Sequence, residues 1–508
     1  MIPMTLARIA EVVGGALHDV DDPTVEVTGT VEFDSRRIAP GGLFLALPGA
    51  NADGHDHARA AVAAGAVAVL AARPVGVPAI VVPSTAAAET NALALEHDAD
   101  GSGAAVLTGL AKLARAVVDE LVDGGLTVIG VTGSSGKTST KDLIAAVLAP
   151  LGPVVAPPGS FNNELGHPWT ALRATGDTRF LVLEMSARGP GHIAALAQIA
   201  PPRIGAVLNV GTAHLGEFGS QEVIAQTKGE LVEALPSDAD GGVAILNADD
   251  TLVARMAGRT RARVVTVGSS GTAAVVATDI TLDGAARPTF TLVITDHATG
   301  NEQRVPVTLA VHGEHQVGNA LTAIAIALEC GATPHQAATA LSGAAAVSAH
   351  RMAVTTRADG VTVIDDAYNA NPDSMRAALK ALATVARSGP TRRRTFAVLG
   401  EMGELGDDSV VEHDAVGRFA VRLDITRIVA VGATRPVRGL FQGAVMEGSW
   451  GEEASHVPDA DAAIALLRDE VGPGDIVLVK ASQSVGLWSV AEALLGNDNA
   501  VLETEAAR

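Results

Sequence analysis

The stretch VIGVTGSSGKTSTKDLIAAVL narrows the possible folds of this chain further than any other, because it runs a strand into a glycine-rich turn and then into a helix. The turn comprises Gly133, Ser134, Ser135, Gly136, Lys137, Thr138 and Ser139. Its two glycines let the backbone turn tightly and aim amides at phosphate oxygens. The helix N-terminus adds partial positive charge. Lys137 is placed to reach the β- and γ-phosphates of a nucleotide, and the Thr138 hydroxyl to ligate Mg²⁺. The strict nucleotide-loop pattern asks for glycine at position 131, where Val131 stands, so the assignment rests on the strand–turn–helix context. The plain alternative is a Gly/Ser turn beside a solvated lysine.

From Leu126 the chain alternates apolar β-rich runs, LTVIGVTG, FLVLEM, IGAVLNV and GGVAILNADD, with helical segments. This is the pattern of an α/β fold with a parallel sheet covered by helices on both faces. Ligands bind such sheets at the carboxyl ends of the strands, so the polar residues just after these runs are the candidates. Between about Arg261 and Val311, TFTLVITD and RVPVTLAVHG read as an antiparallel extension of that sheet, followed by the helical GNALTAIAIALECG. A further α/β pattern begins near His350, with strands expected at VTVIDDAY, TFAVLGEM, RIVAVG and DIVLVKAS. Before Leu126, a smaller unit mixes the helical TLARIAEVVGGAL with strands in VEVTGTVEFDSRRI and GGLFLALPG and a helix–turn–strand in DHARAAVAAGAVAVLAA. Residues 84–104 read as a weakly specified, mobile connector. The expected domains are 1–106, 107–344 and 345–508.

The 508 residues are enough for three or four domains, and 48% hydrophobic residues supply several cores. With 36 basic against 57 acidic residues the net charge is −21, which repels a nucleic-acid backbone yet leaves room for one local nucleotide site. The single cysteine, Cys330, excludes an intrachain disulfide and a Cys-rich zinc site and points to a reducing compartment. The mean hydropathy of +0.29 comes from Ala, Val and Gly. The apolar run Ala60–Ala72, closed by Arg59 and Arg73, is shorter than the roughly 20 residues of a membrane span. The start, MIPMTLARIAEVVGG, lacks the basic region and long apolar core of a signal peptide. A soluble cytoplasmic protein is expected, without membrane insertion, and the acidic surface suits a monomer.

Individually, the polar candidates have ordinary readings. Glu184 closes FLVLEM and can face a nucleotide to hold Mg²⁺, which prefers hard oxygen ligands. His214 follows IGAVLNV, although a lone histidine is more often structural. Lys228 in QTKGELVEAL reads by composition as a solvated helix lysine. Asn162 and Asn163 read as a turn, Asn319 as a helix N-cap and Arg351 as a surface arginine. Asp365, Asp366, Asn369 and Asn371 form a polar strand end before a proline, where Asx residues are expected anyway.

Taken in order, however, TGSSGKTSTK, FNNELGHP, LEMSARGPGHI, NVGTAHLGEFGS, TKGEL, LNADD, HQVGNAL, DDAYNANPDSM and VLGEMGELG resemble the Mur ligase family of ATP-dependent amide-forming enzymes. DSRRIAPGGLFLALPGANADGHD resembles the UDP-sugar-binding domain of the same enzymes. FNNELGHP and DDAYNANPDSM favour a member that joins D-alanyl-D-alanine to a UDP-muramoyl tripeptide over a sibling that adds one amino acid. A nucleotide-gated binding protein is a rival of another class.

The resemblance implies a central parallel-sheet P-loop ATPase domain flanked by a UDP-substrate domain and a Rossmann-like C-terminal domain, with ATP and Mg²⁺ as cofactors. It implies that Lys137 and Thr138 handle phosphate and metal, and that Glu184 and His214 are metal ligands. His214 is also a candidate base. By the same resemblance Asn319 meets adenine, and Arg351 and Asp366 meet the nucleotide across the domain gap. Asn162 and Asn163 approach the peptide, Ser35 and Arg36 the uridine diphosphate, and Asn369 and Asn371 the peptide or the incoming dipeptide. Lys228 is implied to be carbamylated, which would turn a cation into an anionic ligand for a second Mg²⁺. Two departures stand out: Gln316 replaces a frequent asparagine, and VKASQSVGL replaces a KGSR-type ending, so Lys480 and Ser482 receive no role. A labile acyl phosphate needs shelter from water, so closure about a hinge near residues 340–350 is expected.

Overall fold

The computed structural model describes residues 1–49, 52–83, 95, 98–211, 215–269, 273–295, 302–388, 391–448 and 452–496. Three sheets organise them, with a two-stranded pair, Met4–Thr5 and Glu26–Val27, beside the first.

The first sheet has five short strands in the order Ala16–His18, Ala79–Val81, Ala66–Ala71, Gly42–Leu45, Val31–Glu32. The stretch VEVTGTVEFDSRRI contributes only two-residue strands. The central sheet has nine strands, and toward one end of it Ile204–Val207, Thr127–Thr132 and Phe180–Glu184 lie side by side, all parallel. In register, Val131 sits opposite both Glu184 and Ala206, so three strands end side by side and their carboxyl-end loops share one rim. The antiparallel extension starts later than expected. Arg263–Gly268 and the start of Val275–Leu282 still pair in parallel, and only Val275–Leu282, Pro288–Thr295 and Glu302–Thr308 run antiparallel to one another. The third sheet has six strands, in the order Ala353–Thr356, Thr362–Asp365, Ile476–Lys480, Thr395–Leu399, Arg427–Val431, Ala454–Val457. The first and last of these were not legible as strands in the sequence. Both are only part-buried, and neither has an apolar run to announce it.

The connector read over residues 84–104 ends earlier than that. Positions 84–94 and 96–97 lie outside the described residues, while Ser102–Asp123 is one long helix whose first turn accepts help from Asp98 and Asp100. That helix buries Val106, Leu110, Leu113 and Val117 in a core containing Leu43, Leu45 and Leu70 of the first sheet and Val128, Leu181 and Leu183 of the central one. The first two units are thus joined through apolar packing. Trp169 adds to the join by donating its indole N–H to the carbonyl of Val31 at 2.8 Å, with its ring against Phe33 and Phe161.

The third unit meets the second differently. Its cores are built almost entirely from its own residues, with Ala286 of the second unit packed into one of them, and near the cavity its contacts with the second unit are polar or backbone to backbone. Ser348 donates its amide to Asp142 at 3.1 Å, and Lys141 reaches the Ser348 hydroxyl at 3.3 Å. Gly216 lies so near Gly406 that a Cβ added at Gly216 would fall 2.5 Å from the Gly406 nitrogen. No described helix is long and apolar enough to cross a membrane.

Gly216→Val removes the space on which this backbone contact depends. We expect the radius of gyration from small-angle scattering to rise while the melting temperature changes little, since no core is touched. An unchanged radius would show that the contact does not set the arrangement of the units.

Candidate active site

The phosphate loop leaves the Thr127–Thr132 strand and enters the Lys137–Leu148 helix at Gly136, whose φ of +81° suits glycine and leaves the first helical amides without a side-chain cap. Two observations show how the loop is held. Asn209, just after Ile204–Val207, accepts the Ser135 amide at 2.9 Å and donates to the Ser135 carbonyl at 3.1 Å. The Ser134 hydroxyl accepts the Gly211 amide at 3.0 Å. Asn209 was missed in the sequence, although looking for polar residues just after an apolar run would have found it. Lys137 donates to the Gly133 carbonyl at 2.7 Å, folded back on its own loop. Desolvation lowers its proton affinity, and the charge of Glu184 partly offsets this.

Beneath the loop lies Glu184, with no solvent exposure. One carboxylate oxygen accepts from Thr138 at 3.3 Å, from Ser160 at 3.3 Å and from Asn162 at 3.4 Å. The other oxygen is buried and has no hydrogen-bond partner among the described residues. Burial raises the pKa of Glu184, with Lys141, Lys137 and Arg351 pulling it back.

Arg351 enters from the third unit and donates to the Thr138 hydroxyl at 3.4 Å. Far from being a surface arginine, it lies 4.3 Å over the Tyr368 ring and has a buried, unpartnered Nε. Its two neighbours, His350 (φ +56°) and Met352 (φ +50°), are non-glycine residues in the left-handed region. Each is tied down. His350 Nδ1 bonds Asp365 at 2.6 Å, and the Met352 amide donates to Asp366 at 3.1 Å. Asp366 in turn accepts from Lys480 at 2.6 Å, and Lys480, almost fully buried, also donates to the Asn369 carbonyl at 2.9 Å. Lys480 is thus a site residue that the departure from the KGSR-type ending concealed.

The glycine-rich loop, Arg351, Asp366 and Lys480 line one cavity of about 660 Å³ between the second and third units, with Glu184 behind its wall. Residues 134–139 of the phosphate loop, Asn162, Asn163 and Asn319 line it from one side. Arg351, Asp366, Asn369 and Asn371 line it from the other. Asn319 is not an N-cap. It is the fourth residue of the Gln316–Glu329 helix, takes its partner from Gln316 at 2.8 Å and packs against Gly136. Asn371 does cap the Pro372–Arg387 helix, accepting the Ser374 amide at 2.9 Å. Ser35 and Arg36 are not part of this cavity, and Arg36 is exposed and paired with Asp34 at 2.9 Å. His214 lies outside the described residues.

Lys228 is not the solvated lysine its composition predicts. It is 4% exposed on the Gln221–Glu233 helix, has no hydrogen-bond or ion-pair partner among the described residues, and is held well below its usual pKa by burial and then by the charge of Lys137. Among the described residues no three His, Cys, Asp or Glu side chains gather as a metal cluster.

The Asp365 carboxylate, and more distantly Glu492, raise the pKa of His350 against the opposing effect of burial. A pKa raised on folding stabilises fully below the unfolded value, about 6.5, and that stabilisation is lost as pH climbs through the folded value. His350→Gln is therefore expected to lower the urea midpoint at about pH 6 and to change it little at about pH 9. An equal loss at both would mean that the charge on His350 plays no part.

Comparison with known proteins covers the same three units. The Mur ligase family catalytic domain matches residues 29–116, the Mur ligase middle domain 131–327 and the Mur ligase glutamate ligase domain 350–483. The UDP-N-acetylmuramoyl-tripeptide–D-alanyl-D-alanine ligase of Mycobacterium tuberculosis H37Rv is 63% identical over 98% of this chain and 99% of that protein. The enzyme of the same name from Bacillus subtilis is 32% identical over 97% and 99%. Among solved structures, MurF from Acinetobacter baumannii superposes with a TM-score of 0.79 at 29% identity, covering 97% of this chain and 99% of that one. MurF from Thermotoga maritima in complex with ADP gives 0.72 at 27%, covering 93% and 99%. With its fold, its phosphate loop and these full-length likenesses in agreement, the chain belongs to the Mur ligase family.

Proposed function

We propose that this chain joins D-alanyl-D-alanine to UDP-N-acetylmuramoyl-tripeptide at the expense of ATP, as its relatives of that name do. The γ-phosphoryl of ATP passes to the free carboxylate of the tripeptide, giving an acyl phosphate and ADP. The dipeptide amine then attacks the acyl carbon, phosphate leaves and the amine proton is lost. One observation carries this reading: Arg351 of the third unit reaches Thr138 of the phosphate loop, directly over the buried carboxylate Glu184.

Phosphoryl transfer asks a protein mainly for positioning and charge neutralisation. Lys137 supplies a fixed cation and Arg351 a second one, steadied by the Tyr368 ring. The donor set around Thr138 fits Mg²⁺, because a buried carboxylate oxygen without a partner stands beside a hydroxyl. Mg²⁺ takes few protein ligands and leaves the rest to water and phosphate, and when bound it supplies charge neutralisation for the transferred group. Thr138 and Glu184 would hold it, with His214 as a further ligand. Asn319 would meet adenine, and Asp366 with Arg351 would meet the nucleotide from across the gap between the units. Asn162 and Asn163 would flank the peptide, with Asn369 and Asn371 near the peptide or dipeptide. In this proposal residues 1–106 bind the UDP moiety near Ser35 and Arg36, 107–344 bind ATP, and 345–508 close the site.

A buried ammonium is costly unless paired, and Lys228 has no ion-pair partner among the described residues, which supports its carbamylation. The neutral amine adds CO₂, loses a proton to solvent and becomes an anionic oxygen donor suited to a cation. The enzyme acts in the cytoplasm as a monomer, which its lone Cys330 and net charge of −21 support.

Phosphate release with ATP and the UDP-tripeptide is expected to depend on D-alanyl-D-alanine, and mass spectrometry is expected to find the pentapeptide product. Release that depends on a single amino acid instead would identify a sibling ligase, and no release with any acceptor would leave a binding protein. Lys137→Ala is expected to cut turnover by about 100- to 1,000-fold or more, and near-normal activity would defeat its assignment. Lys228→Ala is expected to be inactive and partly restored by short carboxylic acids. Normal activity without them would remove the carbamate.

A further inference from the structure

At one rim of the cavity an ion pair bridges the two units that form it. Arg188, in the segment after the Phe180–Glu184 strand, donates to Glu404 of the third unit at 3.0 Å. Both residues line the cavity and both remain about one-third accessible, at 30% and 38%. A pair this accessible adds little to stability.

The loop bearing Glu404 is built with care. Glu404 is a non-glycine residue at φ +63°. Several hydrogen bonds hold the loop around it. Gly400 donates to the Lys480 carbonyl at 2.9 Å, Met402 to the fully buried His413 at 2.9 Å and Gly403 to the Ser482 hydroxyl at 2.8 Å. Arg188 and Glu404 line the same cavity as Lys137 and the rest of the glycine-rich loop.

The other described cations of the cavity have work assigned within it. Lys137 lies in the phosphate loop, Arg351 reaches Thr138, and Lys480 is buried against Asp366. A dipeptide acceptor brings two opposite charges, a carboxylate that needs a cation and an α-ammonium with a pKa of about 7.7–8.0. Arg188 and Glu404 present the complementary two charges at the edge of the reaction centre.

We propose that Arg188 and Glu404 form the seat of the zwitterionic dipeptide, Arg188 taking its carboxylate and Glu404 its ammonium. This rests on the ligase reading above and adds to it the recognition of the second substrate. The two side chains belong to different units, so a small separation of the units opens the pair. An extended dipeptide spans at most about 7 Å, which sets the scale of that opening. Arg188 suits the task because its planar guanidinium can hold a carboxylate through two parallel hydrogen bonds.

The test compares D-alanyl-D-alanine with D-alanyl-D-alaninamide, which keeps the ammonium and lacks the carboxylate charge, in the phosphate-release assay. The wild-type chain is expected to show a KM for the amide at least about tenfold above that for the dipeptide. Arg188→Ala is expected to raise the dipeptide KM about 10- to 100-fold, to the level of the amide, and so to lose the discrimination. Its KM values for ATP and the UDP-tripeptide should stay near wild type, which also reports that the variant is folded. Arg188→Lys should keep part of the discrimination. Glu404→Gln should raise the KM for dipeptide and amide alike, because both carry the ammonium. Undiminished discrimination by Arg188→Ala, or a wild-type chain that accepts the amide as well as the dipeptide, overturns the proposal. So does a rise in the ATP KM as large as that for the dipeptide. Absence of dipeptide-dependent turnover in the wild-type chain would instead overturn the ligase reading itself.

Discussion

A carboxylate removed wholly from water governs the architecture of the cavity. Glu184 ends a strand of the nine-stranded sheet with no exposure, and one of its oxygens has no partner among the described residues. The effective penalty for an ion so placed is several kcal/mol unless positive charge is brought to it. Lys137, Lys141 and Arg351 are the cations whose fields reach it. Two come from the phosphate-loop helix and one from the third unit, so balancing Glu184 draws separate parts of the chain to one point. Thr138 is the node, since its hydroxyl meets both Glu184 and Arg351.

The two junctions between units differ in kind, and the difference suits their tasks. The first and second units share an apolar core through the helix Ser102–Asp123, and such packing holds a fixed relation because interiors are dense. Among the described residues, the second and third units share only the small side chain of Ala286 in an apolar core and otherwise meet around a water-accessible cavity through hydrogen bonds, ion pairs and the Gly216–Gly406 approach. Contacts of that sort exchange with water or ligand at little cost. A site that must admit three substrates and then exclude water needs one firm junction and one that yields.

Much of this was legible in the residues. The strand–turn–helix at 127–148 was readable because a buried strand, two glycines and a helix each have a local signature. The carboxyl-end rule led to Glu184 for the same reason. Lys228 shows the limit. A lysine on a polar helix is usually solvated, and only packing against the sheet buries this one. Asn319 read as a cap because capping is a local habit of asparagine, whereas its partner is one turn along the helix and its neighbour is Gly136. Lys480 and Glu404 left no signal of their own, since a lysine after a strand and a glutamate in a glycine-rich loop are both commonplace.

Sequence by itself determined the alternation of strands and helices, the three-part α/β organisation and the glycine-rich turn between strand and helix at 133–137, because these depend on residue spacing and conformational preference over a few neighbours. Tertiary structure alone decided which charges meet. Thr138 and Arg351 are 213 positions apart and Arg188 and Glu404 are 216 apart. The energy of a charge depends on the dielectric and the partners around it, and those are set only once distant segments have packed.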